Sequence, residues 1–313
     1  MAALGQSPVW QPPASTRIER GGPTTAPTDA TPGSLVIASY NIRYGVGRFL
    51  IASGLLRGLG LNLPRRRAEQ IRKNLRIAAQ AFASAELLPR PDVLALQEAD
   101  KRTGRAGGCH VAKELAHELN LSWAHVGAGI PRGIEPKHRQ WWLNFEEQIG
   151  LFDEGDTGVA LLSRLPLEGV TPIDLPWHEC PWRPRLAMGA TIAAGNRRLG
   201  IVNAHVDPHA SIDRQHEQLE ALVDQAREYA GPVVVLGDFN TLSNQKCRDA
   251  RGFMEAQGFT TPFRTGTATW RGGGLRMHAD WIFVSGVHVK RFGVARPLNV
   301  SDHWPVWAEI EFE

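Results

Sequence analysis

The sequence predicts an α/β fold, with strands covered by helices on their faces. Three observations carry that expectation. Short apolar runs rich in Val, Ile and Leu recur along the 313 residues, and several are too uniformly apolar for strands with one face in water. Amphipathic stretches with helical spacing lie between them. The chain is 42% hydrophobic and 21% charged, enough apolar content for a sizeable core.

The elements follow in order. Residues 1–33 are rich in Pro, Gly, Ser and Thr and read as a disordered or loosely attached arm, so the fold is expected to begin near Ser34 as a single domain over 34–313. "SLVIASYNI" is the first β-rich run, followed by "PDVLALQE", "TGVALLSR", "LGIVNAHVD", "GPVVVLGDFN", "HADWIFV" and "HWPVWAEIEF". Helical patterns occupy "PRRRAEQIRKNLRIAAQAFAS", with Pro64 at its start, "CHVAKELAHEL", and "SIDRQHEQLEALVDQAREYA", with Ser211 as N-cap. No internal repeat and no second linker divides the chain.

Composition excludes several classes. Lys and Arg number 35 against 32 Asp and Glu, a formal charge of +3, which is no nucleic-acid footprint by itself. Cys109, Cys180 and Cys247 show no C-x-x-C spacing, so neither a disulfide framework nor a zinc site is expected. The opening residues lack a basic region followed by an apolar run, and the apolar stretch 49–63 is too short to cross a bilayer, so a cytoplasmic protein is expected. There is no G-x-S-x-G elbow, no phosphate-binding G-x-x-x-x-G-K-[ST] loop and no H-E-x-x-H.

Chemistry gathers where the strand-like runs end. Asn41, Glu98, His205, Asp238 with Asn240, Asp280, and Asp302 with His303 all stand at such ends, where ligands collect in sheet proteins with covering helices. Asp238 and Asn240, two apart on an extended chain, share one side. An unpaired carboxylate at Glu98, after the apolar "VLALQ", would be costly to bury, and a hard divalent cation relieves that cost. Singly, each acid is more often a cap or a turn, and each histidine more often a hydrogen-bonded core residue.

Taken together, "SYNIR", "LALQE", "GVALLSRLP", "NAHVD", "GDFN", "DWIFV" and "SDHWPV" resemble, in this order, the motifs of the endonuclease/exonuclease/phosphatase superfamily, in particular its pancreatic-type deoxyribonuclease and neutral sphingomyelinase-like branch. The resemblance implies a four-layer α-β-β-α sandwich of two packed mixed β-sheets flanked by helices. It implies a phosphodiester hydrolase that uses Mg²⁺, with Mn²⁺ or Ca²⁺ as alternatives. Residue by residue, Glu98, Asn41 and Asp302 match its metal site; His303 matches the catalytic histidine and Asp280 the acid that orients it. Asp238 and Asn240 match the residues that position nucleophile and phosphate, His205 the second histidine, and Arg185, or Arg183 beside it, a phosphate contact. The acid that pairs with His205 in pancreatic-type nucleases falls among Glu146, Glu147, Asp153, Glu154 and Asp156. Departures also bear on substrate. Arg43 and Ala99 replace residues usual in apurinic endonucleases, and Gly158-Val159-Ala160 replaces a Gly-Asn-Ala. A nuclease is the leading reading, with nucleic acid as the first candidate partner and a lipid surface as the second. A phosphodiesterase or phosphatase for lipid headgroups or small phosphate esters, and a non-catalytic scaffold, stay as alternatives. The basic runs 65–73 and 101–105 are candidate backbone contacts or solvated faces, and "QWWLNF" (140–145) and the apolar segment 49–63 are candidates to stack bases, to bury an acyl chain, or to serve as core and cap. No protein partner is inferable.

Overall fold

The computed structural model describes residues 17–23, 33–47, 64–129, 149, 153–176, 185–272 and 274–312. Two large sheets pack face to face. The first has seven strands in the order β1 (Ile18–Gly21), β4 (Ser122–Gly127), β5 (Gly158–Ser163), β3 (Val93–Gln97), β2 (Ser34–Asn41), β14 (Val306–Phe312) and β13 (Val287–Val294). The second has five, in the order β12 (Asp280–Ser285), β9 (Val233–Asp238), β8 (Arg197–His205), β7 (Leu186–Ala194) and β6 (Leu167–Asp174). A small hairpin pairs β10 (Trp270–Gly272) with β11 (Leu275–Met277). Both large sheets are mixed: β2–β3 and β8–β9 are parallel and the other pairs antiparallel.

The uniformly apolar runs have a physical reason. Successive strand side chains point to opposite faces, and both faces of the first sheet are covered. Leu35, Ile37, Val93, Ala95, Val159 and Leu161 enter the core shared with the second sheet. Ala38, Tyr40, Leu94, Leu96, Ala160 and Leu162 enter a second core beneath helices α1 (Pro64–Ser84) and α2 (Val111–Leu119). Helix α1 contributes Ile71, Leu75, Ala78, Ala79 and Phe82 to it, one stripe at helical spacing. On the other side, α3 (Ile212–Arg227) and α4 (Asn244–Ala256) cover the second sheet with Leu219, Leu222, Val223, Ala226 and Met254. Helix, sheet, sheet and helix thus form four layers, the expected architecture.

Two local expectations change. The arm 1–33 was expected to lie outside the fold, yet Ile18–Gly21 pairs antiparallel with β4, Ile18 opposite Val126. Arg17 fastens this edge: its Nε donates to Gly127 O at 2.9 Å and its Nη2 lies 2.7 Å from Asp174 Oδ1. Four residues with one large apolar side chain give no periodicity to read, and the pairing uses backbone groups that any sequence has. Helix α4 also escaped notice, since its buried stripe is only Cys247, Ala250 and Met254. Ser243 caps it by accepting from Lys246 N, as Ser211 caps α3 by accepting from Arg214 N.

Candidate active site

Topology brings the polar strand ends to one rim. Parallel β2 and β3 end together, Asn41 opposite Gln97, and Glu98 follows at once. Parallel β8 and β9 end together on the second sheet, His205 opposite Asp238. Strand β12 runs antiparallel to β9, so its first residue, Asp280, sits opposite Asp238. Gly237 permits this arrangement: its φ is +142°, and a Cβ there would stand 2.0 Å from Ala204 O.

Asp238, Asp280 and His303 form a buried cluster whose ligating atoms all lie within 4.8 Å of one another. His303 Nδ1 lies 2.9 Å from Asp280 Oδ2, and its Nε2 lies 3.8 Å from Asp238 Oδ2. Burial works against a charged imidazole here, but the flanking carboxylates of Asp280 and Asp238 outweigh it and push the pKa up to about 10. Burial raises Asp238 to about 7, with His303 pulling it down and Asp280 adding to the rise. Asp238 is also held by two donors: Asn41 Nδ2 to Oδ2 at 2.9 Å and Asn240 N to Oδ1 at 2.9 Å. Asn240, at φ +49°, donates its own Nδ2 to Val206 O.

Glu98 and Asp302 face this cluster. Glu98 adopts φ +51°, an unusual conformation for a residue with a Cβ, and its Oε1 lies 3.8 Å from His205 Nε2. Asp302 accepts from Trp270 Nε1 at 3.1 Å and lies 3.8 Å from Arg43 Nε. Burial disfavours charge on Arg43, and Asp302 and Glu98 help restore it, so this guanidinium serves both acids. Arg185 is buried with its Nη1 2.9 Å from His205 Nε2. His205 Nε2 also lies 3.6 Å from Asp238 Oδ2. Arg183, Glu146, Glu147 and the segments 49–63 and 140–145 lie outside the described residues. Asp153 accepts from Gly104 N and Gly155 N, and Asp156 from Gly129 N and Thr157 N.

Sequence reasoning missed the residues that hold this set. Arg105 Nε donates to Asp100 Oδ2 at 2.6 Å and Nη2 to Oδ1 at 2.9 Å, a buried bidentate pair, with Arg105 4.1 Å over the Tyr44 ring. Lys101 pairs with Glu19 at 2.8 Å. The basic run 101–105 is therefore in large part structural, and not a free cationic face. Gln97 Nε2 donates to Asn203 Oδ1 at 2.7 Å, joining the two sheets beneath the site. The one available signal was chemical: Gln97 and Asn203 are polar residues inside apolar strands.

The donor set suits a hard cation. Glu98, Asp302 and the Asn41 amide supply oxygen, and the described residues include no cluster with a thiolate ligand. The tightest ligating cluster, Asp238, Asp280 and His303, is distinct from the Glu98, Asn41 and Asp302 trio that the resemblance gave to metal. Its members already neutralise one another, whereas Arg43 is a buried cation beside both Glu98 and Asp302.

A family model described as the endonuclease/exonuclease/phosphatase family matches residues 38–303, spanning every polar strand end described above. The chain belongs to that family. Among curated proteins, this family member is 29% identical over 218 residues to a UPF0294 protein of Yersinia pseudotuberculosis serotype O:1b, covering 66% of this chain and 79% of that one. Its fold is similar to that of a family protein from Leptotrichia buccalis C-1013-b, with a TM-score of 0.61, 15% identity, and 89% and 100% of the two chains covered. It is also similar to the mannosyl-6-phosphatase of Bacteroides thetaiotaomicron VPI-5482, with a TM-score of 0.56, 18% identity, and coverage of 89% and 100%.

Proposed function

We propose that this family member is a divalent-metal-dependent phosphodiester hydrolase, acting on nucleic acid by in-line attack of water. The observation that carries the reading is the convergence of Asp238, Asp280 and His303 within 4.8 Å at the rim where Glu98, Asn41 and His205 also end. Glu98 and Asp302, with Asn41, would hold the cation, Mg²⁺ first and Mn²⁺ or Ca²⁺ as alternatives. A cation bound there would polarise a phosphoryl oxygen and would offset charge on the leaving oxygen.

The chain's own residues supply the rest. Asp238, fixed by Asn41 and Asn240, orients the attacking water. Asp238 takes the proton that water loses as its oxygen bonds to phosphorus, and the protonated His303, held by Asp280, offsets the charge that builds on the phosphoryl group. The ester P–O bond breaks on the opposite side, and the leaving oxygen takes a proton from solvent. Arg185 and His205 bind phosphoryl oxygens, since the Arg185 Nε is buried with no partner among the described residues.

A second reading, hydrolysis of small phosphate esters, draws support from the similarity to the mannosyl-6-phosphatase. The candidate apolar segments of the lipid reading, 49–63 and 140–145, lie outside the described residues. The test is a substrate panel with and without EDTA: plasmid DNA, RNA, abasic duplex, sphingomyelin, inositol phosphates and bis-p-nitrophenyl phosphate. EDTA-sensitive cleavage of plasmid or RNA supports the proposal. Turnover confined to small esters or sphingomyelin replaces it, and inertness toward all of them with retained Mg²⁺ binding restores the scaffold reading.

A further inference from the structure

Three arginines gather beside the reaction centre. In the β10–β11 hairpin, Arg271 stands directly opposite Arg276. Like charges directly opposite on paired strands repel. Arg296, from the segment leading to His303, adds a third: the Arg271 and Arg296 guanidinium carbons lie 4.5 Å and 4.7 Å from the Trp304 ring centroid. Burial and then the Arg276 charge lower the pKa of Arg296. Arg271 is held in place by Asn299 Oδ1 at 2.7 Å and Leu298 O at 3.2 Å, and Arg296 by Ala268 O. Arg276 is exposed, and its side chain makes no hydrogen bond or ion pair with any described residue.

The hairpin is fastened to the catalytic segment. Trp270 bridges to His303 and donates Nε1 to Asp302; Arg271 N donates to Asp302 O at 2.9 Å; Trp304 N donates to Thr269 O at 2.7 Å. Whatever the arginines bind is therefore tied through the hairpin to Asp302 and His303. From this geometry we infer that Arg271 and Arg296, over the Trp304 ring, together with Arg276 opposite Arg271, form a second phosphate site, so that the preferred substrate carries another phosphate next to the one hydrolysed. The inference rests on the phosphoesterase reading for what occupies the neighbouring site. Planar guanidinium groups suit phosphate oxygens, and a phosphate would relieve the Arg271–Arg276 repulsion.

The test uses the full chain in EDTA, so that nothing turns over, and compares calorimetric binding of the dinucleotide dTpdT with its 5′-phosphorylated form. A parallel arm compares inositol 1-phosphate with inositol 1,4-bisphosphate. The second phosphate is expected to tighten binding by on the order of tenfold or more, with the gain shrinking as salt rises. Arg276→Glu should erase the gain and Arg276→Ala most of it; Arg276 is exposed, so folding is not at issue. A gain in both arms assigns the site to phosphate in general, and a gain with dinucleotides alone assigns it to a nucleic-acid strand. Equal affinities in both arms, or a gain that Arg276→Glu leaves intact, would overturn the inference. Turnover of bis-p-nitrophenyl phosphate with Mg²⁺ is measured separately: its absence beside an intact gain sinks the hydrolase reading and spares the second site.

Discussion

Breaking the Asp100–Arg105 pair tests whether the loop carrying Glu98 depends on a buried ion pair. Asp100 is fully buried and Arg105 is 5% exposed; Asp100 accepts two bonds from Arg105 and one from Thr103 Oγ1 at 2.7 Å. Removing one partner leaves an uncompensated charge in the interior, which costs about 3–5 kcal/mol. Asp100→Leu and Arg105→Met should each lose roughly that much in urea denaturation at pH 7. The double variant leaves neither charge stranded and should lose clearly less than the sum, with a coupling of at least about 2 kcal/mol. The damage should also reach the site, because Arg105 lies over the Tyr44 ring and Tyr44 N donates to Glu98 O at 2.9 Å. Mg²⁺ binding by calorimetry should weaken in both single variants. Single losses below about 1 kcal/mol, or losses that simply add, would refute the reasoning.

Other expectations are simpler. Gly237→Ala should cost about 3 kcal/mol or more, because its Cβ would meet Ala204 O at 2.0 Å; Gly252→Ala, inside α4 with nothing within 4 Å, should stabilise by up to about 1 kcal/mol. A wild-type-like urea midpoint for Gly237→Ala would show that β8 and β9 can separate. His303→Ala, Asp238→Ala and Glu98→Ala should each abolish metal-dependent turnover while far-ultraviolet circular dichroism stays native; ordinary rates at saturating Mg²⁺ count against the role concerned. Burial pushes His125 down to about 3, so below about pH 6.5 the unfolded chain binds the proton and the folded one does not. Stability should then be complete above neutral pH and fall with acidification, by roughly 2 kcal/mol from this residue at pH 5. His125→Gln should flatten that part of the urea-midpoint profile, and parallel profiles would discredit the assignment.

Local pattern alone placed much of this molecule. Runs such as Leu35–Ile37 and Val93–Leu96 read as doubly covered strands because both faces meet apolar layers, and Ser211 read as a helix cap because its oxygen satisfies a free backbone N–H. The order of polar strand ends was equally legible. Other features required the fold, since they depend on register between segments far apart in the chain. Asn41 and Asp238 are hydrogen-bonded across 197 residues, and Asp280 meets Asp238 only because β12 runs antiparallel to β9. The edge strand at Ile18, the burial of Arg105 and the opposition of Arg271 to Arg276 were invisible for the same reason. A sequence states which groups a chain owns and their local period, whereas the charge and burial each group experiences are set by neighbours that only tertiary packing supplies.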